Sequence, residues 1–139
     1  MKRLVLALLL GTLVSGCATT QTISMKHRTR TYDVTKEDLI SATVNAFTAE
    51  GYPIKSIDRK TGFVRTRKKS NSTMEAAFVG NKSRSIQAMV RDQGEQTKIT
   101  LTLVYEAENA FGQSSAQSVG KNAAIDLYKE WFKRIEQRI

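Results

Sequence analysis

The fold is decided by three consecutive stretches: Ser85-Ile86-Gln87-Ala88-Met89-Val90-Arg91, then Asp92-Gln93-Gly94-Glu95, then Gln96-Thr97-Lys98-Ile99-Thr100-Leu101-Thr102-Leu103-Val104-Tyr105-Glu106. Side chains alternate on both sides of the turn. In the first arm Ile86, Ala88 and Val90 oppose Gln87, Met89 and Arg91; in the second Ile99, Leu101, Leu103 and Tyr105 oppose Lys98, Thr100, Thr102 and Val104. A period of two marks a strand with one buried face, and threonine suits the half-exposed face of a pleated sheet. Gly94 stands where a tight connection needs a permissive backbone. The pattern predicts an antiparallel hairpin whose apolar face must be covered by other elements.

Two amphipathic segments supply that cover. In Val34-Thr35-Lys36-Glu37-Asp38-Leu39, Thr35 is placed to cap a helix, with Asp38 reaching back from three residues on, and Val34 and Leu39 occupy the two positions of a hydrophobic staple. Leu39, Ile40, Thr43, Val44 and Phe47 then recur at helical spacing, and Gly51 offers the stop, so a helix is expected from Thr35 to about Glu50. Near the other end Val119, Ala123, Leu127, Trp131 and Ile135 are spaced by four, with Tyr128 and Phe132 widening the stripe. Lys133, Arg134 and Arg138 suit the negative end of a helix dipole there. The segment from about Val119 to Ile139 therefore reads as a second helix lying across the sheet.

Between these anchors, Pro53 cannot donate to a ladder and suits a strand start or an edge in Tyr52-Pro53-Ile54-Lys55-Ser56-Ile57-Asp58. Arg59-Lys60-Thr61-Gly62 reads as a hairpin turn, and Phe63 to Lys69 as the returning strand, with Val64 and Thr66 on one face and Phe63, Arg65 and Arg67 on the other. Ser70 to Ser85 is either a helical turn or two over Met74–Val79, behind the capping box Ser72-Thr73-Met74-Glu75, or a loose excursion. Glu108 to Ser118 is a polar loop relieved by Phe111. Ile23 to Tyr32, with Lys26, His27, Arg28 and Arg30, is either a charge-guarded edge strand or more tether. The expected architecture is α+β: an antiparallel four- to five-stranded sheet with two helices packed on one face.

The N-terminus carries a different signal. Lys2 and Arg3 precede an apolar run from Leu4 to Leu10, and Leu13-Val14-Ser15-Gly16-Cys17 ends on the chain's one cysteine. A basic tip, a short apolar core and small residues before a cut site describe a secretory signal. The run falls short of the ~20 residues a membrane-spanning helix needs. The layout resembles a bacterial lipoprotein signal peptide, with Val14, Ser15 and Gly16 at the small lipobox positions and Cys17 at the acylated one. That resemblance implies cleavage between Gly16 and Cys17, a covalent diacylglycerol and N-acyl chain on Cys17, and no other cofactor. With Ala18 rather than an aspartate next, it implies an outer-membrane anchor facing the periplasm. A multi-chain anchor gives stable attachment. The alternatives are a plain signal peptide with a chance cysteine, or a short membrane helix. The expected organisation is residues 1–16 as signal peptide, 17–31 as lipidated cysteine and tether, and 32–139 as a single α+β domain.

The domain has a resemblance of its own. Gly-Tyr-x-Ile-x-x-Ile-Asp-x-x-x-Gly-Phe-Val, from Gly51 to Val64, preceded by a short helix and followed by two more strands and a long final helix, resembles the helix-grip lipoprotein domains of the barrel-assembly accessory lipoprotein C type. The likeness is one of layout. It implies a two-layer sandwich and a non-catalytic envelope role, and it transfers no functional residues.

Catalytic chemistry has little to work with. Acylation of Cys17 would consume the lone thiol, and the lone histidine, His27, lies in the tether or at a domain edge, a poor place to preorganise a general base. No Cys/His cluster or aspartate set has metal-ligand spacing. Glu106 and Glu108 read as surface charges, and Gly112 and Gly120 lack the strand–turn–helix context of a phosphate loop. An enzyme is therefore not expected.

Charge is the feature with most functional content. The 139 residues carry a net +9, and removing Lys2 and Arg3 with the signal leaves +7. From Lys55 to Arg91 ten cations face only Asp58 and Glu75, a net +8 for that stretch. Such a balance argues for anionic partners, and nucleic acid is not expected in the envelope. The candidate anionic-partner surface comprises Arg59, Lys60, Arg65, Arg67, Lys68, Lys69, Lys82 and Arg84, with neighbouring strands gathering Arg65, Arg67 and Arg84 around Phe63 or Met89. A merely solvated basic face is the plainer alternative. The expected function is that of a non-enzymatic outer-membrane lipoprotein acting as an accessory, assembly or interaction module on an envelope protein. The alternative is a binding module for anionic lipid, lipopolysaccharide or glycan, or for a small ligand between sheet and C-terminal helix; an enzyme of unrecognised type is the remote one.

Overall fold

A computed structural model describes residues 23–70, 81–108, 113–116 and 120–139. The lipobox and Cys17, the capping box at residues 72–75, Phe111 and Val119 lie outside the described residues. In chain order the elements are α1 (Met25–Arg28), β1 (Thr29–Tyr32), α2 (Lys36–Ala49), β2 (Ile54–Asp58), β3 (Phe63–Thr66), β4 (Lys69–Ser70), β5 (Asn81–Gln93), β6 (Gln96–Glu108), β7 (Ser114–Ala116) and α3 (Lys121–Glu136). The architecture is α+β, as expected, with an antiparallel sheet whose main path runs β1-β6-β5-β3-β2; the short β4 adds to β5 and the short β7 to β6.

The hairpin that decides the fold forms the sheet's spine. β5 and β6 pair without interruption from Asn81–Glu108 to Gln93–Gln96. Gly94, at φ +66°, takes the first position of the two-residue turn, the place where a primed hairpin turn of the II′ kind requires a left-handed backbone. Ile86, Ala88, Val90, Ile99 and Leu101 are all buried on one face.

That face is covered by the two long helices. Thr35 caps α2: its hydroxyl accepts the Asp38 N–H at 3.2 Å and donates to the Asp38 carboxylate at 2.7 Å, so Asp38 reaches back to the cap's hydroxyl and not to its backbone. At the other end Gly51 sits at φ +74°, the Gly51 N–H reaches the Thr48 carbonyl and the Tyr52 N–H the Phe47 carbonyl, both at 2.9 Å. Those are the paired bonds of a Schellman cap. Its hydrophobic closure is aromatic, because Phe47 and Tyr52 both meet Trp131 of α3 edge-on, at centroid separations of 5.5 and 5.4 Å. The inward stripe of α3 is Ala124, Tyr128, Trp131, Phe132 and Ile135; Ala123, expected in it, is exposed. Each large side chain so buried contributes about 1.5–3 kcal/mol.

Within residues 23–32 the edge strand is realised only at Thr29–Tyr32, and Met25–Arg28 forms the short α1 instead. Thr29–Tyr32 pairs with Thr97–Thr100 of β6, and Ile23 packs on the core, so the folded unit reaches back past position 32, where its start was expected. Only part of β6's outer edge is thereby paired, since β7 covers Glu106–Glu108 and β1 stops at Thr100. Side chains fill the gap. Arg28 donates from Nε to the Leu101 carbonyl at 3.0 Å and also reaches the Thr102 hydroxyl, while the Leu103 N–H donates to the Tyr128 hydroxyl at 3.2 Å.

Candidate functional site

Among the described residues, no helix lies on the second face of the sheet. Its rows run Phe63 and Arg65 on β3, Ser85, Gln87, Met89 and Arg91 on β5, and Thr100, Thr102 and Val104 on β6, as the registers Phe63–Met89, Arg65–Gln87 and Gln87–Thr102 require. A groove of about 560 Å³ opens on this face, lined by Lys55, Arg65, Arg67, Lys68, Ser85 and Gln87, with Val104 and Glu106 completing it.

Two irregularities in the ladders create the groove. On β2 the pairing shifts between Ile54–Thr66 and Ser56–Arg65, leaving Lys55 as the extra residue. On the neighbouring side Arg65 opposes Gln87, yet Lys69 opposes Arg84, so three residues, Thr66 to Lys68, stand against the two residues Ser85 and Ile86. One extra residue in a strand is a β-bulge, which bends the chain and re-aims side chains. The break frees the Ile86 N–H, and the buried Thr66 hydroxyl accepts it at 2.9 Å. The Arg67 N–H turns the other way, to the Pro53 carbonyl at 2.7 Å. The two bulges lie side by side and set Lys55, Arg67 and Lys68 around Arg65.

Within the groove the cations are unequally satisfied. Lys68 pairs with Glu106. Arg65 is half-buried with its guanidinium over the Phe63 ring, 5.2 Å from the centroid, and its Nε is hidden from solvent with no acceptor among the described residues. A buried donor left unmade costs about 1–3 kcal/mol.

The eight cations of the expected surface are divided among four places. Arg65, Arg67 and Lys68 line the groove. Arg59 and Lys60 sit on the β2–β3 turn beside the start of α2, where Arg59 pairs with Glu37 and the Lys60 carbonyl accepts Lys36 Nζ at 2.8 Å. Lys69 and Arg84 lie on the helix side, opposite to the gathering with Arg65 and Arg67 expected for Arg84. The bulge at Thr66–Lys68 flips the alternation, so that Lys69, opposite Arg84, donates to the Glu50 carbonyl at 2.7 Å and lies 5.0 Å from the Tyr52 ring centroid. Lys82 is exposed on β5 near its start. Gly16 and Cys17 lie outside the described residues. His27 sits in α1, and among the described residues no three His, Cys, Asp or Glu side chains come together as a metal site.

Between sheet and final helix, Tyr128, Trp131 and Phe132 fill the space with their own side chains. What remains is a cleft of about 230 Å³ at one end, bounded by Tyr52, Arg84, Tyr105, Trp131 and the Arg134–Glu50 ion pair. Burial is the main reason the phenols of Tyr52 and Tyr105 titrate above the ordinary tyrosine value, with Arg84 opposing the shift. Tyr32, at the far end, is pushed up further, by burial first and then by donating to Glu136 at 2.8 Å. All three favour the neutral phenol in the folded state. Their contribution is complete below the unfolded value near 10 and is lost as pH rises through the folded values. The urea midpoint is therefore expected to fall between about pH 8 and about pH 11, and to fall less in Tyr32→Phe; an equal fall in both proteins would refute the assignment to Tyr32.

No family model matches the chain, and no curated protein matches it either. No helix among the described residues is long and apolar enough to cross a membrane.

Proposed function

We propose that the chain is a non-enzymatic, lipid-anchored module of the cell envelope that docks its partner on the second face of the sheet, opposite the two long helices. The observation that supports this reading most is the basic groove itself. An antiparallel sheet with one packed face and one uncovered face is common, but here the uncovered face bears adjacent bulges that concentrate Lys55, Arg65, Arg67 and Lys68 against a single carboxylate, Glu106. The anchor is supported by the sequence from Lys2 to Cys17, and the outer membrane, periplasmic side, is the location it favours. A tether of a few residues would hold the domain near an anionic surface, where each cation is worth about 1 kcal/mol.

The test is mild crosslinking of the full-length protein in envelopes, followed by co-purification. The triple variant R65E/R67E/K68E is expected to lose at least nine-tenths of a captured species, while R91E, a reversal elsewhere on the same face, retains it. Capture that is equal in wild type and triple variant would remove the docking face from consideration. A captured protein lost in the triple variant supports the adaptor role; capture of lipid or glycan alone moves the function to the binding-module alternative.

A further inference from the structure

The groove has a more specific chemistry than a basic surface. Arg67 follows Arg65 by two residues, just past the end of β3, and the pair is flanked by Lys55 from β2 and Lys68 from the bulge. The side chains of Lys55 and Arg67 make no hydrogen bond or ion pair with a described residue, and Arg65 makes only its ring contact. A guanidinium is a planar fork matched to two oxygens at once. A single carboxylate uses one fork, whereas a phosphate monoester brings a charge of about −1.5 to −2 and three strong acceptors, enough for both arginines. In the next row Ser85 and Gln87 add neutral donors and acceptors, and Val104 adds an apolar wall. The volume, about 560 Å³, lies within the usual range of small-molecule sites, about 300–1,000 Å³. The exposed large apolar side chains of the described residues, Met25, Ile57 and Ile139, lie outside the groove.

We propose that this groove binds a phosphorylated sugar, with Arg65 and Arg67 gripping the phosphate, Ser85 and Gln87 meeting the hydroxyls, and Lys68 exchanging Glu106 for the phosphate. The proposal rests on the reading that the sheet's second face is where the partner docks, and it names the chemistry of that partner. Glu106 acts against the ligand twice, by repelling the anion and by holding Lys68. Removing its charge therefore strengthens binding, an outcome that a purely structural ion pair would not produce.

The experiment titrates the full-length protein in phosphatidylcholine nanodiscs with glucose 1-phosphate and with glucose. Glucose 1-phosphate is expected to bind saturably and at least tenfold more tightly than glucose, and to raise the melting temperature of the wild type. Arg65→Gln and Arg67→Gln are expected to weaken it at least tenfold each, and Glu106→Gln to tighten it about threefold or more. Arg91→Gln lies four residues along β5 from Gln87, the residue opposite Arg65, or about 13 Å at ~3.3 Å per strand residue, and should leave binding unchanged. The proposal is overturned by no saturable binding, by equal affinity for glucose, by an Arg91→Gln effect as large as that of Arg65→Gln, or by weaker binding in Glu106→Gln. It is also overturned if vesicles containing phosphatidylglycerol capture the protein through Arg65 and Arg67 while glucose 1-phosphate does not bind, since the ligand is then a lipid headgroup. Each of these failures leaves the docking reading intact if R65E/R67E/K68E still loses its crosslinked species, and that reading falls only if the species is retained.

Discussion

Gly62→Ala is expected to destabilise the protein by about 2–5 kcal/mol, read as a shift of the urea midpoint at unchanged slope. Two costs combine. Gly62 is held at φ +76°, where a side chain costs about 1–2 kcal/mol. A Cβ there would also lie 1.8 Å from the Val90 carbonyl oxygen, which is backbone and has nowhere to go without opening the β3–β5 ladder. The contact is close because the Gly62 carbonyl accepts the Val90 N–H at 2.8 Å, and the Gly62 N–H closes the turn onto the Asp58 carbonyl at the same distance. Overpacking of this kind adds about 1–3 kcal/mol. Gly94→Ala is the control, because Gly94 has a similar φ of +66° but no atom within 4 Å of the added methyl. It is expected to lose only the conformational part. Equal losses in the two variants would mean that the approach of β3 to β5 at Gly62 is not as close as described.

Trp131→Ala is expected to cost about 3–5 kcal/mol, the range for deleting a large buried aromatic. Trp131 is 7% exposed and stands where three elements converge. Phe47 comes from the last turn of α2, Tyr52 from the segment just past its cap, and Arg134 from the next turn of α3, its guanidinium 5.3 Å from the indole centroid. Losing the indole leaves a cavity and also removes the partner that closes the Schellman cap. The thermal midpoint should drop by roughly 10 °C or more for a domain of this size. A loss below about 1 kcal/mol would show that the helices are held to the sheet by other contacts.

The elements that rest on local pattern were legible before the structure. Alternation in Ser85–Arg91 and Gln96–Glu106 is a property of one strand, and the Thr35 cap, the Gly51 stop and the aromatic stripe of α3 depend on residues within a turn or two of one another. The features that were not legible depend on pairing between distant segments. Nothing in Thr66-Arg67-Lys68, which contains no glycine, shows that the count will be three residues against two on β5, and that one-residue shift sends Lys69 to the helix side, opposite to Arg67. Alternation carried through the bulge would keep Lys69 beside Arg67, whereas Arg84, two positions before Ile86 on an unbroken strand, belongs to the helix side by simple alternation. Likewise Thr29–Tyr32 is too short to distinguish an edge strand from a tether until Thr97–Thr100 is laid beside it. The groove is therefore a product of register, and its lining was only half foreseen, through Arg65, Arg67 and Lys68 but not through Lys55, Ser85 or Gln87.

The way β6 is finished has a consequence for synthesis. Its inner side is satisfied by β5 as soon as the hairpin closes, a local event. Its outer side is completed by residues from both ends of the described chain, Arg28, 73 positions before Leu101, and Tyr128, 25 positions after Leu103. A nascent chain that has emerged only as far as β7 thus has neither the hydroxyl that caps the Leu103 N–H nor the aromatic ridge that roofs Ile99 and Leu101. During that interval an unpaired strand border and an apolar face covered only by α2 are presented together, the combination that recruits other copies. The last twenty residues complete the maturation of the domain, and the time taken to deliver them sets how long it is vulnerable.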